Sequence, residues 1–287
     1  MALLEPADLE ALERLALATR ARMLGTFAGD HRSPRFGSSL DFADYREYRP
    51  GDDFRRIDVP LSARLDRLFL RLFEAEEDVS IRIVVDTSAS MGFGDPSKVA
   101  LARRIAAGFA HLSLAQGDAV RLYETAGRRR ASRWYAAKAD SIEAMRWLEA
   151  AAPAGPARLA DVVRALREEG RTGLTLVVSD LLEPGWEDAI RRLGAPGEAA
   201  LVHLLAPEEM EPSLEGDLTL LDAETGAEVP VSMTPEVLRG YRARLAAWLA
   251  SVRSACTSRG IGYVRARSDE DAMDLFRRRF RSEAVVR

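Results

Sequence analysis

Apolar residues along the chain follow two alternating patterns: short continuous runs, and stretches in which they recur every three or four positions. The runs predict buried strands and the helical spacing predicts amphipathic helices. The clearest strands are predicted at 79–86, 119–124, 174–179, 200–205 and 261–265. The clearest helices are predicted at 95–117, 141–151, 159–169, 186–193 and 235–259. Shorter signals predict a strand at 132–136, a hairpin of 218–221 with 228–231 and a helix at 270–279.

This alternation indicates the fold class. Strands that alternate with helices favour a parallel sheet covered by helices on both faces. The sequence therefore predicts an α/β fold, a doubly wound and mostly parallel, Rossmann-like sheet flanked by helices.

The pattern before residue 78 is different. A helix is predicted from Pro6 to about Leu24 and a strand at 68–74, whereas 40–65 is polar and shows no helical period. We therefore divide the chain into an N-terminal helix-plus-strand extension, residues 1–77, and an α/β domain, residues 78–287.

Composition and charge argue against several classes of function. The 287 residues are 47% hydrophobic and 30% charged, as in a globular protein with a substantial core. A net charge of −4 argues against nucleic acid or an anionic membrane as partner. No apolar segment is long enough for a signal peptide or membrane span, and the single cysteine excludes an internal disulfide. We expect a cytoplasmic protein.

Oxygen-bearing side chains follow two of the predicted strands. Asp86, Ser88 and Ser90 come after the strand at 79–86, and Asp180 comes after the strand at 174–179. Ligands of open α/β sheets bind beyond the carboxyl ends of the strands, and such oxygens are the donors that Mg²⁺ and Mn²⁺ prefer. These four residues are therefore the predicted metal site, with an ordinary turn and helix cap as the alternative.

Several segments resemble known families. Asp86-Thr87-Ser88-Ala89-Ser90-Met91 resembles the first metal-site segment of von Willebrand factor A domains. The block 42–58, with its Tyr48-Arg49-Pro50-Gly51-Asp52-Asp53, is similar to the signature of the bacterial family named domain of unknown function 58. The same family is indicated by Ser62-Ala63-Arg64, Ser179-Asp180-Leu181-Leu182 and Leu221-Asp222-Ala223-Glu224-Thr225-Gly226.

The resemblance implies a von Willebrand factor A-like domain that works with a MoxR-type AAA+ ATPase, a chaperone-like machine. It implies no catalytic residue. The sequence departs from the pattern at Val59-Pro60, where the family usually has tryptophan, and near 155–159, where the metal site normally takes a threonine. Ala157 or Arg158 stands there instead, so Mg²⁺ or Mn²⁺ should bind more weakly.

The leading hypothesis is a non-enzymatic interaction module whose metal site binds the MoxR-type ATPase or its client during assembly or maturation of other proteins. The alternatives are a metal-dependent hydrolase using Asp86 and Asp180, and a metal-free scaffold of the same fold. For the charged block 42–64, we favour a turn held by arginine–carboxylate contacts over a docking surface for the partner.

Overall fold

The structure is a computed structural model of the chain. It describes residues 3–15, 42–48, 52, 54, 57–65, 67–73, 80–126, 131–169, 173–194, 198–283 and 285–286. The chain divides into two compact units, one formed by Met1–Met23 with Val79–Arg287 and the other by Leu24–Asp78. Helix α1, Pro6–Glu13, which the sequence places in the extension, packs its buried Leu12 into the core of the larger unit. The predicted division at residue 77 stays a prediction.

The smaller unit contains a strand pair and a helix. These elements are β1 Phe42–Glu47, α2 Val59–Leu65 and β2 Phe69–Phe73, with β1 antiparallel to β2. Asp58 holds them together, since its Oδ1 accepts from Leu61 N at 2.9 Å and its Oδ2 accepts from the Tyr45 hydroxyl at 3.1 Å. The polar stretch 40–65, which shows no helical period, contains both β1 and α2, because polar side chains that bond one another hide the pattern.

Within the charged block, Arg46 Nη2 contacts Asp52 Oδ1 at 2.8 Å. That contact supports the structural reading of the block. Asp53, Arg55 and Arg56 lie outside the described residues.

The larger unit is built on a five-stranded sheet. Its strands are β3 Ser80–Val85, β4 Ala119–Glu124, β5 Leu174–Ser179, β6 Glu198–Leu205 and β9 Gly262–Arg267. They are all parallel, in the order β4-β3-β5-β6-β9. Strand order reverses between β3 and β5, which makes the carboxyl ends of those two strands the switch point of a doubly wound sheet. The predicted fold class is confirmed.

Helices cover both faces of this sheet. They are α1, α3 Lys98–Ala115, α4 Ser141–Glu149, α5 Leu159–Glu168, α6 Trp186–Leu193, α7 Pro207–Met210, α8 Pro235–Thr257, α9 Ala272–Asp274 and α10 Phe280–Ser282, the last two joined by a π-helical turn, Leu275–Arg279. Ile83 of β3 faces the core of α1, α3, α4 and the C-terminal segment, whereas Val84 faces the core of α5, α6 and α8. A strand buried on both faces reads as a continuous apolar run, which is why the sequence revealed β3.

An antiparallel hairpin, β7 Gly216–Leu221 with β8 Glu228–Met233, precedes α8. Most of its residues are exposed, and its turn carries Glu224. The predicted hairpin is confirmed and is a few residues longer than expected.

Three element predictions need correction. Helix α1 ends at Glu13, and residues 16–24 of the predicted helix lie outside the described residues. Helix α3 begins at Lys98 after the N-cap Ser97, later than the predicted start at 95. The predicted strand at 132–136 makes only isolated antiparallel bridges to β4, because the Ser132 hydroxyl accepts the Leu122 N–H at 3.0 Å in place of a ladder carbonyl. Within the described ranges, no helix has the length and apolarity required to cross a bilayer.

Candidate functional site

The four predicted residues meet at the switch point of the sheet. Asp86 follows β3 and Asp180 follows β5, and the two neighbouring strands are joined there by a hydrogen bond from Asp86 N to Val178 O at 2.8 Å. The two carboxylates are close enough for the charge of Asp180 to raise the pKa of Asp86. Their role as metal ligands stays a prediction.

Both carboxylate oxygens of Asp86 accept hydrogen bonds from the protein. Its Oδ1 accepts from Ser88 N at 2.9 Å and from the Thr125 hydroxyl at 2.6 Å, and its Oδ2 accepts from the Ser179 hydroxyl at 2.5 Å. The pKa of Asp86 is raised, with burial as the largest cause and the charge of Asp180 as the second. The three hydrogen bonds act in the opposite direction and lower the pKa. Asp86 therefore fixes the loop that carries the serines.

Two hydroxyls form a pair next to Asp86. Ser88 Oγ and Ser90 Oγ lie 2.9 Å apart at a short 3₁₀ turn, Ala89–Gly92, whose N-cap is Ser88. Ser88 is buried and Ser90 is partly exposed. The turn is tied to the loop before α5 by a hydrogen bond from Ala89 N to Gly155 O at 2.8 Å.

A buried lysine that the sequence did not reveal neutralises Asp180. Lys98 Nζ lies 2.7 Å from Asp180 Oδ2 and also donates to Glu209 Oε1. The lysine side chain is 0% exposed. Asp180 Oδ1 accepts from Leu182 N at 3.1 Å, so this carboxylate too has protein partners on both oxygens.

Asp86, Ser88, Ser90 and Asp180 line a crevice at the carboxyl ends of β3 and β5. A buried histidine hydrogen-bonds to the backbone of Asp180. His203 Nε2 lies 3.0 Å from the Asp180 carbonyl oxygen, and its Nδ1 lies 3.0 Å from the Tyr263 hydroxyl. Burial lowers the pKa of His203 to about 4, so the ring is neutral. A neutral ring donates to the carbonyl through Nε2 and accepts from the tyrosine through Nδ1, which makes His203 a structural residue.

Two glutamates reach the loop that lacks the expected threonine. Glu224 lies near the backbone N–H of Ala157, and its Oε1 accepts from the Ser90 hydroxyl at 3.3 Å. Glu183 Oε2 accepts from Leu159 N at 3.3 Å. Arg158, which stands near the position of the expected threonine, is exposed.

The pKa values of both glutamate carboxyl groups are raised in this environment. Burial raises the pKa of Glu183 to about 7, and the charges of Asp86, Glu224 and Asp180 contribute. The pKa of Glu224 is also raised by burial and by the charges of the two aspartates. Neither glutamate was predicted, although Glu224 lies in a segment that carries the family resemblance.

The carboxylate and hydroxyl oxygens around the crevice are the kind of ligand that a hard divalent cation prefers. Asp86, Asp180, Glu183, Glu209 and Glu224 place five carboxylates around the crevice, against the one ammonium of Lys98. Such an excess of negative charge favours a cation. Among the described residues, no three His, Cys, Asp or Glu side chains converge on a point where they could hold a metal ion alone. A cation here would therefore rely on the serine hydroxyls and water as well as on carboxylate.

Comparisons with known proteins agree with the sequence resemblance. Residues 44–249 match a family described as "Protein of unknown function DUF58". The uncharacterized protein Rv1480 of Mycobacterium tuberculosis (strain ATCC 25618 / H37Rv) is 30% identical over 275 residues, 93% of this chain and 87% of that protein. An uncharacterized protein of Mycobacterium bovis, Mb1516, matches to the same extent.

Solved structures give a weaker likeness. A conserved hypothetical protein BatB from Bacteroides thetaiotaomicron is 17% identical with a TM-score of 0.41, over 72% of this chain and 98% of that one. An aerotolerance-related membrane protein from Bacteroides fragilis is 20% identical with the same TM-score, 0.41, over 72% of this chain and 98% of that one. Likeness at this level does not by itself indicate a shared function. The family match and the relatives establish that the chain belongs to the DUF58 family.

Proposed function

We propose that this protein is a cytoplasmic, non-enzymatic interaction module of the von Willebrand factor A type. It captures an acidic group of a partner through Mg²⁺ or Mn²⁺ held at Asp86, Ser88, Ser90 and Asp180. The partner is a MoxR-type AAA+ ATPase or that ATPase's client, and the process is assembly or maturation of other proteins. The observation that carries the proposal is the pair of hydroxyls, 2.9 Å apart, at the switch point of the sheet.

The chemistry of the pair explains why it suits a bridging cation. A hydroxyl is a neutral ligand, so a divalent ion held by Ser88 and Ser90 keeps much of its positive charge and attracts a further carboxylate. Asp86 positions Ser88 by accepting its backbone N–H at 2.9 Å. The exposed Leu182, beside Asp180, offers apolar surface for the partner.

Capture of a purified MoxR-type ATPase by the immobilised protein tests the proposal. Capture should require Mn²⁺ or Mg²⁺ and should be lost in chelator, in Asp86→Ala and in Ser90→Ala. Ser251→Ala is the matched control, because Ser251 is an exposed helical residue whose hydroxyl bonds the Trp248 carbonyl. Equal capture with chelator and with Ser90→Ala would reject the bridge.

A metal-free scaffold is the second candidate, and the Lys98–Asp180 ion pair at 2.7 Å favours it. In a metal-free scaffold, the Lys98 ammonium balances the charge of Asp180 in place of a metal ion, and partners bind without metal. Capture that is independent of cations but sensitive to substitutions around the crevice would support it.

A metal-dependent hydrolase using Asp86 and Asp180 is the third candidate. It needs a general base, and Glu183 has a suitable pKa of about 7. Turnover of phosphoester substrates with added metal, lost in both Asp86→Ala and Glu183→Gln, would support this candidate. The absence of Asp86-dependent turnover would end it.

A further inference from the structure

The loop before α5 has no hydroxyl side chain at 155–159, yet carboxylates approach its backbone at two points. Glu224 lies near Ala157 N, and Glu183 accepts from Leu159 N at 3.3 Å. Glu224 is also hydrogen-bonded to the Ser90 hydroxyl at 3.3 Å, and Ser90 lies 2.9 Å from Ser88. An acidic oxygen thus stands beside the hydroxyl pair, at the loop from which the threonine is missing.

The hairpin turn presents Glu224 in a fixed way. Asp222 Oδ1 accepts from Glu224 N at 2.9 Å and from Thr225 N at 2.7 Å, and Gly226 closes the turn with a φ of +71°. An aspartate that bonds the amides following it, with glycine in the left-handed region, holds a tight turn without help from a core. This turn fixes the backbone position from which the Glu224 side chain reaches the Ser90 hydroxyl, although the hairpin itself is mostly exposed.

Glu183 gives an independent indication of a ligand. The residue is only 9% exposed, and among the described residues its Oε1 has no hydrogen-bond partner. Its carboxylate is near enough to Asp86, Asp180 and Glu224 to be affected by their charges. A buried acceptor without a donor is unfavourable, and a hydrated cation would satisfy it because its bound water is a donor.

We propose that Glu224 replaces the missing threonine as an oxygen ligand of a divalent cation at Ser88 and Ser90, and that Glu183 accepts from water bound to that cation. This inference rests on the proposed cation site and extends it to the hairpin. A carboxylate contributes charge that a threonine does not, so the replacement strengthens cation binding. The cation in turn anchors the hairpin to the crevice.

Titration with Mn²⁺ alone, followed by the electron paramagnetic resonance signal of the free ion, tests the inference on the full chain. Glu224→Gln should weaken Mn²⁺ affinity by about 10- to 100-fold or more, the range seen when even outer-shell partners of metal sites are removed. Glu183→Gln should weaken it less. Glu228→Gln is the matched control, because Glu228 is an exposed residue of the same hairpin, and it should bind as the wild type does.

Hydrogen exchange supplies a second readout. Mn²⁺ should slow exchange of the amides at 222–227 in the wild type and in Glu228→Gln, but not in Glu224→Gln. If the wild type binds Mn²⁺, Asp86→Ala does not, and Glu224→Gln binds as tightly as the wild type, the inference is overturned while the proposed site survives. If the wild type binds no Mn²⁺, both are rejected.

Discussion

Replacement of Lys98 by methionine removes the one ammonium that contacts two acids of the crevice. Its Nζ lies 2.7 Å from Asp180 Oδ2 and also contacts Glu209, and the exposed fractions of the three side chains are 0%, 1% and 14%. Methionine has a similar length and is apolar, so it leaves little cavity. The main effect of Lys98→Met is therefore to leave Asp180 buried without its partner.

The expected cost is large for a single substitution. Removal of one partner of a buried ion pair typically lowers the free energy of unfolding by about 3–5 kcal/mol, because a charge stays buried without compensation. Domains are stable by only about 5–15 kcal/mol. With a urea m-value of about 3 kcal/mol/M, the unfolding midpoint of Lys98→Met should fall by about 1–1.7 M.

Urea unfolding followed by tryptophan fluorescence and circular dichroism, in chelator, measures this shift. The chain's other lysine provides the control. Lys138 pairs with Glu13 at 2.7 Å, but its side chain is 58% exposed, so Lys138→Met should not move the midpoint measurably.

A second variant isolates the cause of the Lys98→Met effect. Adding Asp180→Asn should restore part of the lost stability, because asparagine carries no charge and still accepts from Leu182 N. A midpoint for Lys98→Met that matches the control would refute the reasoning. It would mean that Asp180 does not depend on the ammonium.

Three further predictions concern protonation and packing. In chelator, the stability advantage of Glu183→Gln over wild type should grow by roughly 3 kcal/mol as the pH rises from about 4.5 to above 7, because the carboxyl has a pKa of about 7 when folded; a difference that does not vary with pH would contradict this. The His203 ring should stay neutral at pH 5 in ¹⁵N NMR spectra, because burial lowers its pKa to about 4; titration near 6.5 would refute it. Gly108→Ala should destabilise by about 1–3 kcal/mol in urea melts, since the new Cβ would lie 2.6 Å from the Phe276 ring. Gly240→Ala, in a helix with more space, should stabilise by up to about 1 kcal/mol, and equal effects of the two substitutions would count against the packing argument.

The sheet could be predicted because parallel strands that are buried on both faces appear in the sequence as continuous runs of apolar residues. Strands β3 and β5 are apolar on both faces, and the helices between them show a clear helical period. The smaller unit could not be predicted in the same way. Its β1 and α2 are held by contacts such as Tyr45–Asp58 and Arg46–Asp52, at 3.1 and 2.8 Å, which leave no apolar periodicity in the sequence.

The site was predicted where it depends on strand ends, and missed where it depends on distant segments. Asp86 and Asp180 could be paired because parallel strands bring their carboxyl ends to one edge of a sheet. Lys98 begins a helix and gives no sign in the sequence that its ammonium is buried. Glu183 and Glu224 reach the crevice from a loop and a hairpin, and no periodicity specifies where such segments fold back.

The central claim is that the serine pair and its surrounding acids bind a divalent cation. Calorimetric titration of the full chain with Mn²⁺, repeated with Ser90→Ala and with the control Ser251→Ala, tests it most directly. Ser90 is partly exposed, so its loss should leave the fold intact, as circular dichroism would verify. We expect saturable binding of one ion by the wild type and the control, and markedly weaker binding by Ser90→Ala. No binding by the wild type, or equal binding by all three proteins, would contradict it.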